Sequence, residues 1–299
     1  MSLLSPFLLL VQRRTFTATR PGRWPAAAWA VAAALAAGCT STLPTLPTPS
    51  SSWPDRLQTL LPADVLLIGE QHDAPDHQRL QREAVQALAA REQLAAVVLE
   101  MAESGHSTEG LPRDATAAQA QAALQWNDAA WPWQAYGPVV MAAVAAGVPV
   151  LGGNLPRAAL RTTMGETAWD QHLPAPALQR QYEALRDGHC GLLPPSQLAP
   201  MARVQIARDA RMARTAQEAV RPGKTVLLIA GGGHVLRRLG VPTHWPANLR
   251  SKVVLAQSGQ AQAAIKTEAD AEADAIWETP ALPPSDPCEA LRQQWHPGE

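Results

Sequence analysis

Glu70, His72, Glu100 and His234 are the residues of this chain whose types and spacing most readily do chemistry. Glu70 and His72 lie in the stretch Ile68-Gly69-Glu70-Gln71-His72-Asp73, directly after the apolar run Val65 to Ile68. Glu100 closes a second apolar run, Ala95 to Leu99. His234 follows a third, Thr225 to Ala230, through Gly231-Gly232-Gly233. Imidazoles and carboxylates in this number support two kinds of chemistry. They can ligate a divalent metal such as Zn or Mn, or form an acid–base pair in which a carboxylate orients the imidazole. A metal-bound water would be the nucleophile of a hydrolase; without metal, His72 is the candidate base. Asn154 and Arg157 follow a fourth apolar run and are placed to steady a developing oxyanion.

Each of these residues also has a plainer role open to it. Glu70 can cap the helix that follows Pro75, His72 can be a solvated turn residue, and Glu100 can sit on an exposed edge. His234 resists such a reading most, because a glycine run allows close approach of backbone to a ligand. The run lacks the Lys-Ser/Thr of a phosphate-binding loop, and no His-Glu-x-x-His zinc motif occurs.

The elements that must position these groups read as alternating strands and helices. Strands are expected at Val65–Ile68, Ala95–Leu99, Val148–Leu151, Thr225–Ala230 and Lys252–Ala256. Helices are expected at Asp76–Arg91, where Leu80, Ala84, Val85 and Leu88 share a face, at Ala115–Leu124 and at Tyr136–Ala146. A short helix is expected at Val235–Leu239. Strands alternating with helical patterns imply βαβ units and a mostly parallel α/β sheet. Such a sheet binds ligands beyond the carboxyl ends of its strands, which is where Glu70, His72, Glu100 and His234 would meet. From about 157 to 220 the strand signal vanishes and helices at Pro176–Leu185 and Ser196–Val220 suggest an inserted α-helical subdomain.

The chain has 299 residues, of which the first 38 read as a secretory signal peptide. Arg13, Arg14, Arg20 and Arg23 precede the Ala-rich run from Pro25 to Ala37, and Leu35-Ala36-Ala37-Gly38-Cys39 follows the order of a lipobox. Cys39 is therefore the expected lipidation site. Arg13-Arg14-Thr15-Phe16 also has the outline of a twin-arginine export signal, so the sequence leaves Sec or Tat export open. Residues 39–54, rich in Ser, Thr and Pro, read as a tether, residues 55–260 as the α/β domain, and residues 261–299 as a loosely ordered tail in which Ile276-Trp277 can dock on the domain. Net charge is −1 with no block of like charge, which argues against a nucleic-acid partner. Three cysteines occur. With Cys39 acylated, Cys190 and Cys288 remain and can pair in an oxidising compartment; nothing in the sequence fixes their geometry.

These pieces, in order, resemble the ChaN-like haem-binding lipoproteins of the Tiki and erythromycin-esterase superfamily. The resemblance is carried by Ile68 to Asp73 and Val98-Leu99-Glu100-Met101. It continues through Trp133-Gln134-Ala135-Tyr136-Gly137-Pro138, Gly153-Asn154-Leu155-Pro156-Arg157, Gly188-His189-Cys190-Gly191, Gln205 to Ala213 and Ile229 to His234. It implies an α/β core with a helical subdomain, haem as cofactor, a homodimer with haem at its interface, and an outer-membrane lipoprotein acting in iron uptake beside a haem receptor. Superfamily relatives are hydrolases, and the residues matching their catalytic set are Glu70, His72, Glu100 and His234. Haem iron outside the cytosol is held by Tyr or His. The chain has two tyrosines, Tyr136 and Tyr182. Tyr136 lies among Trp126, Trp131 and Trp133 and is the expected iron ligand, with His189 or His172 as a second; Trp133, Asn154 and Arg157 complete the expected haem contacts.

Overall fold

The computed structural model describes residues 52–259, 272–284, 286, 288–289 and 291–292. The expected signal peptide, Cys39 and the tether up to residue 51 lie outside the described residues. Six strands form one sheet in the order β3-β2-β4-β1-β5-β6, all parallel. They are β1 (Val65–Glu70), β2 (Leu94–Glu103), β3 (Val150–Asn154), β4 (Thr225–Gly231), β5 (Ser251–Ser258) and β6 (Ala275–Thr279). The α/β class expected from the sequence is the class observed.

β1 and β4 occupy the middle and are buried along their whole length. That is why they read as unbroken apolar runs and not as alternating ones. Alternate side chains of the sheet feed two cores. Leu66, Ile68, Leu99 and Ile229 pack under α2 (Pro75–Ala90) and α4 (Trp133–Ala146), with Leu80, Ala84, Leu88 and Val140 opposite them. On the other face Val65, Leu67, Val98 and Leu228 meet Met212, Ala213 and Ala216 of α7 (Pro195–Ala219). Between β3 and β4 the described chain is helical: α5 (Leu160–Gly165), α6 (Ala175–Gly188) and α7, with short 3-10 turns at Arg157–Ala159 and Thr167–Gln171. The first turns of α7 leave the sheet and pack Leu198 and Ala202 on Leu185 of α6. Among the described residues no helix is long and apolar enough to cross a membrane.

Two expectations change. The helix read at Val235–Leu239 is instead a single turn at Gly232–Val235, α8, because Leu236 turns into extended backbone. The segment read as a loose tail contributes β6, which pairs with β5. Its signal is weak because a short edge strand needs little apolar sequence. Side chains fasten it: His77 joins Thr279 through Nε2–Oγ1 (3.1 Å), Glu272 accepts from Arg180 (2.9 Å), and Trp277 packs edge-on against Trp53. Farther on, Cys288 is disulfide-bonded to Cys190, closing a loop of 98 residues.

A loop of that length restricts the unfolded chain strongly. We expect Cys190→Ser/Cys288→Ser to lower unfolding free energy by about 3 kcal/mol in denaturant titrations. A double variant within 0.5 kcal/mol of wild type, on the order of measurement error, would remove the cross-link from the account.

Candidate functional site

Strand register brings the reactive groups to one edge. Glu70 of β1 lies beside Gly231 of β4, and Leu99 of β2 beside Ile229. Glu70, Glu100 and Gly231 thus leave the sheet at the same level, and the glycine run carries His234 over them.

Glu70 is buried and is the acceptor for four side chains. Tyr136 Oη donates to its Oε1 at 2.6 Å and His72 Nδ1 at 2.8 Å; Gln78 donates to Oε2 at 3.0 Å, and Gln81 does so as well. Gln78 and Gln81 come from the first turns of α2 and Tyr136 from α4, so one carboxylate locks two helices to the end of β1. Glu100 accepts the Gly231 N–H at 2.7 Å. Its two oxygens also face His234 Nε2 at 3.5 Å and His72 Nε2 at 3.9 Å. His234 Nδ1 is held by Asp209 of α7 at 2.6 Å. Each imidazole is therefore anchored at Nδ1 by a buried carboxylate, and both Nε2 atoms turn toward Glu100. Side-chain exposure separates them: His72 is 39% exposed and His234 14%.

The charges follow from these contacts. Burial acts to lower the His72 pKa, but the hydrogen bond to Glu70 and the charge of Glu100 outweigh it and hold the ring above its usual range. Burial acts to raise Glu100, yet the two imidazoles and the Gly231 N–H bring it below its usual range. Asp209 is pushed up to about 6, chiefly by burial. For His234, burial opposes protonation, but the Glu100 and Asp209 carboxylates prevail and raise it to about 9.

A histidine raised from 6.5 to about 9 on folding stabilises the fold fully below pH 6.5 and loses that contribution as pH rises through 9. A raised Asp209 works in the same direction, costing stability as pH climbs from 3.8 to about 6. Wild-type protein should lose about 2 kcal/mol between pH 7 and pH 9. His234→Asn should flatten that slope; an equal slope in the variant would show that His234 is not its source.

Three concavities adjoin the cluster. One, of about 400 Å³, lies between β1, the glycine run and α6, with His72, His234 and Asp209 on one wall and Leu185 and His189 on the other. A second, about 470 Å³, lies at the ends of β2 and β3 and includes Glu100, Trp131, Asn154, Arg157 and Arg208. The third, about 570 Å³, runs between α2 and α4 and shares His72 with the first.

The structure brings Glu70, His72, Glu100 and His234 together as the sequence suggests. Among the described residues, no group of three or more His, Cys, Asp or Glu is arranged to hold a metal ion. The Glu70 oxygens are taken by four protein donors.

Tyr136 stands under the cluster, not in a pocket. It is 1% exposed, its hydroxyl is committed to Glu70, and burial together with the Glu70 charge drives its pKa upward, away from phenolate. Trp133 packs on Trp126 and lies against Gly137, where a Cβ would meet the indole at 2.5 Å. Asn154 holds the rim by donating to the Glu100 carbonyl (2.8 Å) and accepting from the Leu155 N–H (2.8 Å). Arg157 lines the second cleft. His172 is remote from these groups, stacked on His244 at 3.8 Å.

His189 faces the first pocket from the end of α6. Its Nδ1 donates to the Leu185 carbonyl at 2.8 Å, which fixes the ring and leaves Nε2 for a ligand. Three participants escape sequence reading. Gln78 and Gln81 look like ordinary polar helix positions, and Asp209 lies inside α7, in a segment that carries the family resemblance but with no spacing that ties it to His234. Spacing gives one hint: Gln78, Gln81 and the buried Leu80 and Ala84 fall on the inward side of one helix.

The model of the family described as haem-binding uptake, Tiki superfamily, ChaN matches residues 56–244. The chain belongs to that family. Among solved structures, that of cofacial haem binding to ChaN of Campylobacter jejuni is 24% identical with a TM-score of 0.61, covering 76% of this chain and 91% of that one. This likeness is one of fold. A MARTX toxin effector domain, RRSP of Vibrio vulnificus, is 15% identical with a TM-score of 0.42 and covers 70% of this chain and 36% of its own. The type III effector HopBA1 is 16% identical with a TM-score of 0.41, covering 73% and 88%. No curated protein matches the chain. The matched residues take in β1 to β4 and the helical segment between β3 and β4.

Proposed function

We propose that this ChaN-family chain binds haem in the pocket beneath α6, with His189 Nε2 as the iron ligand. The observation that carries the reading is the fixed His189 ring on the wall of that pocket. Its partner atom Nδ1 is used by a backbone carbonyl, the arrangement that orients a ligating imidazole. The remaining wall suits a flat apolar ligand. Leu185, Ala184 and Leu239 supply aliphatic surface, and the floor is the bare backbone of Gly231 to Gly233. A Cβ on Gly233 would meet nothing within 4 Å, so a larger residue there would occupy the pocket itself. Haem bound in this place would supply an iron for the His189 imidazole to ligate; burying the ring would add about 25 cal/mol per Å² of apolar surface.

The pocket is only partly enclosed, so a flat ligand held in it would keep part of its surface uncovered. A second copy of the chain is the cover we infer, in keeping with cofacial haem in the Campylobacter relative. The lipobox at Cys39 and the signal ahead of it support an exported, lipid-anchored protein of the cell envelope, in the outer membrane, acting in haem or iron uptake with a receptor as partner. Sedimentation velocity of the purified chain, with and without one equivalent of hemin, tests ligand and dimer together. Haem absorbance should move with a dimer. A chain that stays monomeric and sediments free of haem absorbance would reject the reading.

One observation favours a second reading. Both imidazoles of the rim present Nε2 toward Glu100, and His72, held by Glu70 and half open to solvent, has the form of a carboxylate-oriented base. On this reading the rim hydrolyses an ester or peptide bond. Turnover of an activated ester lost in His72→Ala would support it; equal turnover in the variant would remove it.

A further inference from the structure

We propose that the cleft at the ends of β2 and β3 is an anion site that takes the carboxylate or phosphate group of a small polar ligand, with Arg208 and Arg157 as its cations. This goes beyond the haem reading, since the cleft shares no lining residue with the His189 pocket.

The argument begins at Arg208. Its Nε is sealed from solvent and has no hydrogen-bond partner. A buried N–H without an acceptor is costly and rare in folded proteins. Arg208 acts on two carboxylates, Glu100 and Asp209, and could serve only as their counter-charge. Those carboxylates are already satisfied: Glu100 by Gly231 N–H and the facing imidazoles, Asp209 by His234. Neither forms a hydrogen bond with Arg208. The guanidinium instead lines a cleft of about 470 Å³ that also receives Arg157.

Arg157 is the second cation lining this cleft. Its backbone N–H is used by Glu103 at 3.0 Å, while its guanidinium is exposed and makes no ion pair. The same bond occupies one oxygen of Glu103, the other carboxylate in the wall. Two guanidiniums without protein acceptors, lining one half-open cleft, form the arrangement that binds carboxylate or phosphate through paired N–H groups. The Trp131 ring closes the far side, 4.8 Å from His72. A ligand with an apolar body next to its anionic head would rest on that indole.

The test is calorimetric titration of the full chain with inorganic phosphate and, separately, with succinate, in chloride buffer at pH 7. At least one anion should bind saturably at one per chain, with Kd below about 10 mM, and weaken as salt is raised. A phosphate response without succinate assigns a phosphate head group, and the converse a carboxylate. Arg208→Met should weaken binding at least about tenfold. Arg157→Ala, at an exposed position where folding is not at stake, should weaken it about threefold or more. Absence of saturable binding by either anion would overturn the proposal, as would wild-type affinity in Arg157→Ala.

Discussion

Hemin affinity should fall about 100-fold in His189→Ala, a loss of roughly 2.7 kcal/mol, with the Soret band moved or flattened. The side chain is half-buried at the end of α6 and supports no core contact, so the variant should fold as wild type does. Its role is to present one nitrogen. The Leu185 carbonyl holds the other, and alanine removes both the ligand and the orientation that made it effective. Tyr136→Phe serves as the contrast. Its hydroxyl reaches Glu70 beneath the rim and not the pocket, so the Soret band of that variant should stay where it is, although its stability falls. If Tyr136→Phe moved the band and His189→Ala did not, the ligand assignment would be reversed.

Glu70→Ala should be the most destabilising single change at the rim, at about 3–5 kcal/mol. The carboxylate accepts from Tyr136, His72, Gln78 and Gln81. Removing it leaves Gln81 and the phenol as buried donors without that acceptor and Gln78 with only the His72 carbonyl at 3.3 Å, and a buried donor costs more to abandon than its bond is worth in exchange with water. Glu70→Gln keeps the volume but places an amide N–H among donors, and should lose most of the same stability. Denaturant midpoints read both variants, with a fall in Tm of about 10 °C as the thermal counterpart. A loss under about 1 kcal/mol would mean that α2 and α4 are not pinned to β1 through Glu70.

The fold was readable where apolar runs were long and bounded by glycine. β1 and β4 are buried on both faces, so their composition alone reports them. β6 was not readable as a strand: at the edge of the sheet, Ala275–Thr279 is three apolar residues followed by two polar ones, too short a run to stand out from the tail around it. The rim was readable because its carboxylates and imidazoles end strands, and parallel strands share an edge. What joins them was hidden. Asp209 reaches His234 from a helix 25 positions away, and the Tyr136–Glu70 bond spans 66. No local pattern carries a contact that only tertiary folding creates. The same bond gives the Tyr136 hydroxyl a partner that the sequence does not show.

Stoichiometric titration of hemin into the purified chain at pH 7, followed in the Soret region, tests the haem reading most directly. A sharp break at one haem per chain, with a band distinct from free hemin, is the expected result. A signal that grows in proportion to added hemin, with the spectrum of the free compound throughout, would contradict it.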